Sequence, residues 1–122
     1  MLPFAELLGV RVVDAAADAV RLELDWQERL CTAGGVMHGG ALMSLADTTG
    51  AMCAFLNLPP GAGTTTIESN TNLLAAVREG TVVALATPLH VGGTVVVVET
   101  ELRAQERLVA KTTQTQAVLR GS

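Results

Sequence analysis

The chain has 122 residues, of which 49% are apolar, 2% aromatic and 16% charged, and its formal net charge is −4. That apolar content at ordinary domain length excludes a disordered segment and predicts one domain over 1–122, with a core of Val, Leu and Ala rather than rings. Its eight Lys and Arg are scattered, so no patch neutralises a run of phosphates, and nucleic acid is excluded as a partner.

Residues 2–8 suit a short helix, with Pro3 in the first turn and Gly9 after it. Segments 10–15 and 19–26 read as a hairpin turning at 15–18. In its second strand Val20, Leu22, Leu24 and Trp26 alternate with Arg21, Glu23 and Asp25, which predicts one wet face. Residues 27–37 form a loop containing Gly34 and Gly35. The stretch 36–57, VMHGGALMSLADTTGAMCAFLN, is the one long helix. Leu42, Leu45, Thr49, Met52 and Leu56 recur on it as an apolar stripe suited to a sheet. Asp47 points the other way, on a face of small residues with Gly40, Ser44, Ala51 and Ala54.

The NLPPGAG run at 57–63 ends the helix. Strands follow at 64–74, 80–91, 94–103 and 108–119, broken by Gly92-Gly93 and the polar run 104–107. Residues 81–85 and 95–98 are nearly continuous in β-favouring residues, as buried central strands are. One dominant helix and about six strands, largely consecutive, make an α+β domain in two layers: an antiparallel sheet with the helix stripe against it.

Cys31 and Cys53 read as reduced thiols rather than a disulfide framework, and the N-terminus lacks the basic leader of a signal peptide. No apolar run approaches the roughly 18 residues of a membrane span. A cytoplasmic protein without a membrane partner is expected. No His, Cys and Asp cluster has metal-ligand spacing, and no Ser-His-Asp order with an elbow motif occurs.

Asp47 is the leading candidate for chemistry. No Lys or Arg lies at i±3 or i±4 to pair it as a surface charge, and between 36 and 76 the one other acid is Glu68. A lone carboxylate among small residues is available as nucleophile or general base. The second candidate is His38-Gly39-Gly40 at the helix start. Free N–H groups and the positive dipole end lie there, and glycine lets a carbonyl approach them, as an oxyanion hole for acyl transfer requires. Gly39 and Asp47 are eight residues apart, roughly 12 Å along a helix. Donor and nucleophile must both come within about 3 Å of one carbonyl. One helix cannot supply both; two copies packed antiparallel can. If Asp47 is catalytic, the site lies between subunits of a homodimer.

The strand-hairpin, helix and strand order, the HGG-x6-D spacing and the TTTIESNTNLLAAVREGT stretch resemble the PaaI-like hotdog-fold acyl-CoA thioesterases over nearly the whole chain. The resemblance implies a long helix wrapped by an antiparallel sheet, and dimers that pair into dimers of dimers. It also implies hydrolysis of an acyl-coenzyme A thioester to free acid and coenzyme A, with no metal and no cofactor beyond the coenzyme A of the substrate. By that resemblance Asp47 is the helix acid, acting as nucleophile or as base on water. Gly39 gives the N–H that polarises the thioester carbonyl, His38 orients the loop and thioester, and Thr66 holds the attacking water. Thr32 stands where members carry Asn or Gln, a shorter clamp on the thioester. Members also place cations near Ala75 and Gly93. Here both positions are neutral, leaving Arg78 and His90 as the nearest basic groups, with backbone donors such as those of Gly92 and Gly93. The implied coenzyme A contacts are therefore Gly40, Ala75, Ala76, Arg78, His90, Gly92, Gly93 and Thr94. The acyl group implied is an aryl or medium-chain one. The alternatives are a non-catalytic acyl-CoA-binding hotdog protein and an enoyl-CoA hydratase, which would need an Asp-His dyad.

Overall fold

A computed structural model describes residues 2–121. The chain runs α1 (Pro3–Leu8), β1 (Arg11–Ala16), β2 (Ala19–Asp25), a single 3₁₀ turn (Glu28–Leu30), α2 (Gly39–Phe55), β3 (Gly63–Leu73), β4 (Thr81–Val91), β5 (Val95–Ala104) and β6 (Arg107–Leu119). The strands form one six-stranded sheet in the order β1-β2-β4-β5-β6-β3, antiparallel at every pairing. Helix α2 packs across it, contacting all six strands. This is the hotdog arrangement of a long helix wrapped by an antiparallel sheet. Among the described residues no helix is long and apolar enough to cross a membrane.

The inward face follows from period-two alternation. Val20, Leu22 and Leu24 on β2, Val82, Ala84 and Ala86 on β4, and Val96, Val98 and Leu102 on β5 are all fully buried. Small residues lie beside large ones across strands, with Leu22 and Leu102 flanking Ala84, so the sheet offers a trough in which the helix sits. The outward face of β4 and β5 is half-buried at Val83, Leu85, Val95 and Val97. These central strands are thus covered by the chain on one side only, not on both as their continuous apolar runs imply. Strand β1 is exposed at all six positions because it is an edge. Arg11 ties it to β2 by ion pairs to Asp25 at 2.7 Å and Glu23 at 3.0 Å. That guanidinium, with the Thr81 hydroxyl, holds the Asp25 carboxyl below its ordinary range.

Helix α2 is shorter than the expected 36–57. At its start Met37 bridges to Cys31 in extended backbone, and at its end Leu56 is the cap residue. The stripe is also rearranged. Leu42, Leu45 and Thr49 are buried as expected, but Met52 is half-exposed and Leu56 exposed; Ala46, Gly50, Cys53 and Ala54 take the buried positions instead. Ala54, seven residues after Asp47, shares the Asp47 face as expected but is buried there. The buried arc is turned from the stripe toward Ala46 and Gly50, where Gln114 of β6 packs against the helix.

Candidate active site

The helix start is held from three sides. Trp26 Nε1 donates to the Gly35 carbonyl at 3.0 Å. The Met37 N–H donates to Val77 O and the His38 N–H to Leu30 O, both at 2.8 Å. His38 is the N-cap of α2, and its Nδ1 accepts the Gly40 N–H at 2.7 Å, which leaves the proton of the neutral ring on Nε2. The Ala41 and Leu42 N–H groups reach the His38 carbonyl at 2.9 and 3.3 Å. Among the described residues the Gly39 N–H has no acceptor. It is the free donor at the positive end of the helix dipole. A Cβ on Gly39 would lie 2.6 Å from Leu73 Cδ1, and one on Gly40 would lie 2.9 Å from His38 Nδ1. The two glycines thus differ in role: Gly39 offers a donor, whereas Gly40 spends its own on the cap.

Asp47 sits midway along α2 and is exposed in the single chain. Its Oδ1 lies 3.4 Å from Thr66 Oγ1 and 3.3 Å from Gln114 Nε2. Gln116 Nε2 donates to Thr66 Oγ1 at 2.6 Å, and Thr64 Oγ1 lies 3.1 Å from Gln116 Oε1. Behind the acid, Thr112, Gln114 and Gln116 form a buried polar row on the inward face of β6. Beside it opens a cavity of about 520 Å³ lined by Leu2, Phe4, Ala5, Asp47, Thr48, Ala51, Met52, Phe55 and Thr64. A carboxylate in the wall of an apolar groove is an arrangement for a substrate with a polar reacting end and an apolar body.

The structure brings Asp47 and Thr66 together, and it gathers Thr32, His38, Gly39 and Gly40 around the helix start. Thr32 is exposed, with its N–H on Val36 O at 2.8 Å. The two groups stay apart in one chain, since both Gly39 and Asp47 belong to the unbroken α2, and among the described residues no Asp carboxylate is bonded to a His. The remaining residues divide between opposite ends of the sheet. Ala75 bonds to Val109 and is followed by exposed Ala76 and Arg78, while His90, Gly92, Gly93 and Thr94 surround the β4–β5 turn, level with Ala117 and Val118. Eight residues of β6 separate the levels, roughly 26 Å at 3.3 Å per residue. Two cations stand near these positions that sequence reasoning passed over. Arg120 Nη2 donates to the Gly93 carbonyl at 3.0 Å, and Arg107 shares with Arg78, Ala76 and Glu79 a cavity of about 280 Å³.

Gln114 and Gln116 were also absent from the expectation. The strand KTTQTQAV is polar at inward and outward positions alike, so its alternation does not mark them. Neither thiol belongs to the site: Cys31 Sγ lies 3.2 Å from Gln27 O, and burial pushes the Cys53 thiol up to about 11, with Asp18 adding to the effect. Among the described residues no group of three or more His, Cys, Asp or Glu is placed to hold a metal ion.

The model of the thioesterase superfamily matches residues 34–111, a span that includes the helix start, Asp47 and Thr66. ComA2 of Bacillus subtilis, provisionally named an esterase, is 34% identical over 118 residues, covering 94% of this chain and 93% of its own length. A conserved protein of Pseudomonas aeruginosa superposes with a TM-score of 0.93 at 35% identity, covering 98% of this chain and 95% of its own. The thioesterase HI1161 of Haemophilus influenzae superposes with a TM-score of 0.91 at 29% identity, covering 96% and 82%.

Proposed function

The chain belongs to the thioesterase superfamily and is a thioester hydrolase, and from that premise we propose that it hydrolyses aryl- or medium-chain acyl-coenzyme A at sites shared between two subunits. The observation that carries this reading is Asp47 with the Thr66 hydroxyl on its carboxylate, lining the apolar groove of about 520 Å³. The acyl group lies in that groove. As a base, Asp47 takes a proton from water held by Thr66, and the water oxygen bonds to the thioester carbon. The carbonyl electrons move onto oxygen, where the partner subunit's Gly39 N–H stabilises the charge. Collapse expels the coenzyme A sulfur, which takes the proton from Asp47. As a nucleophile, Asp47 instead bonds to the thioester carbon and expels the coenzyme A thiolate. Water then opens the mixed anhydride to the free acid and the Asp47 carboxylate, its proton passing to the thiolate.

The need for a partner follows from the 12 Å between Gly39 and Asp47 on one helix, and β3 supplies the surface for it. This edge strand has 11 residues, and positions 65 to 70 are all exposed. An uncovered edge of that length is a template for another strand. Antiparallel pairing of two β3 strands about a two-fold axis sets the Thr66 and Asp47 end of one chain against the Leu73 and Gly39 end of the other. The same symmetry brings Ala75, Ala76 and Arg78 of one subunit to the end of the assembly that holds the partner subunit's Gly92, Gly93 and Thr94. The divided coenzyme A contacts then lie along one path, with Arg120 adding positive charge beside Gly93. That charge offsets the neutral residues at Ala75 and Gly93. Pairing of dimers through the outward row of Val83, Leu85, Val95 and Val97 gives the tetramer.

The test is Asp47→Asn assayed for thiol release across an acyl-CoA panel. The variant folds as the parent does and loses at least about a hundredfold in kcat, the low end of an acid–base contribution. Unchanged turnover removes Asp47 from the mechanism, and thiol release confined to thioesters lacking coenzyme A removes the substrate class.

A further inference from the structure

We infer that Gln114 is a positioning residue for hydrolysis, fixing the Asp47 carboxylate from beneath the helix; this rests on the reading of Asp47 given above. Gln114 is fully buried on β6, and its Nε2 lies 3.3 Å from Asp47 Oδ1. Its Oε1 has no hydrogen-bond partner among the described residues and lies against Gly50, one turn along α2 from Asp47. A buried amide with one end unpaired costs stability, and an apolar side chain of the same shape avoids that cost. Gln116, on the same face, is satisfied at both ends by Thr64 and Thr66. The fold alone therefore accounts for Gln116 but not for Gln114. What Gln114 supplies is one N–H donor, and it is aimed at Asp47.

The direction of that bond matters. Thr66 and Gln114 both approach Oδ1, so Oδ2 is the oxygen left for substrate or water. A donor on a buried strand cannot follow the carboxylate if it turns, so it fixes which oxygen faces the groove. Small misplacements of a reacting group cost large factors in rate.

The variant that tests this is Gln114→Met, which keeps the volume and removes the donor. The expected result is unchanged or raised Tm, unchanged KM and a loss in kcat of about tenfold to a hundredfold, as for a hydrogen bond to a charged group. In an Asp47→Asn background the same substitution gives no further loss, because its effect passes through that carboxylate. Retained kcat, a change in KM alone, or an equal fractional loss in both backgrounds overturns the inference. Wild-type turnover by Asp47→Asn itself overturns the reading of Asp47, and this inference with it; a dead Asp47→Asn with a fully active Gln114→Met overturns this inference alone. Should Gln114→Met not fold, the side-chain amide protons of Gln114 decide it by NMR. They shift on Asp47→Asn if the bond exists, and an unmoved resonance overturns it.

Discussion

A methyl group on Gly50 would fall on the Gln114 carboxamide, whereas one on Gly34 would meet nothing within 4 Å. Gly50→Ala therefore forces either the helix or the buried amide to move, and overpacking of this kind costs about 1–3 kcal/mol. Denaturant unfolding should show that loss for Gly50→Ala and none for Gly34→Ala, and turnover should fall only in the first. Residue by residue, the candidate site was legible where a residue contradicts its surroundings. Asp47 is an acid with no cation near it in sequence, and His38 stands before two glycines at a helix start. Gln114 and Gln116 were hidden because Thr113 and Thr115 between them are polar too, so period two gives no sign of which row faces the core. Arg120 was hidden for a different reason: it reaches Gly93 across 27 positions of chain, and no local pattern reports that.

Elements were more legible than residues. Every expected helix and strand is present, because alternation on β2 and β5 and the apolar spacing on α2 are strong periodic signals. The misjudged parts are ends and edges. The tight turn between β5 and β6 holds Gln105 and Glu106 at φ 53 and 66, a left-handed conformation without the glycine that usually marks it. Edge status could not be read for β3 either, since it follows α2 in the chain yet pairs with β6. The strand is bulged between Thr66 and Glu68, and Ile67 is exposed there. A lysine on such an edge opposes pairing with another strand. Ile67→Lys should retain the far-UV spectrum, sediment as a monomer and lose turnover. Its activity should recover as protein concentration rises and subunits reassociate. Full activity in the monomer would break the link between β3 pairing and catalysis, while a concentration-independent loss would point to local damage at Thr66 instead.

At the scale of the whole molecule, the placement of donor and acid on one helix has a consequence that no single chain can display. The Gly39 N–H lies at the start of α2 and Asp47 in its middle, so each site in the proposed dimer draws one from each subunit. Consider a mixed dimer of one Asp47→Asn chain and one Gly39→Val chain. The valine side chain collides with Leu73, whose Cδ1 already lies 2.6 Å from where a Cβ would stand, and displaces the donor. The Asp47→Asn chain still carries an intact Gly39, which faces the intact Asp47 of the valine chain, and that site is whole. The second site combines both defects and is dead. Each homodimer is inactive, yet mixing them with subunit exchange should restore up to half the wild-type activity per mixed dimer, and about a quarter of the total when exchange is random. If each site were built within one chain, both sites of a mixed dimer would carry a defect and mixing would restore nothing. Measuring thiol release before and after exchange separates the two geometries without reference to the identity of the acyl group.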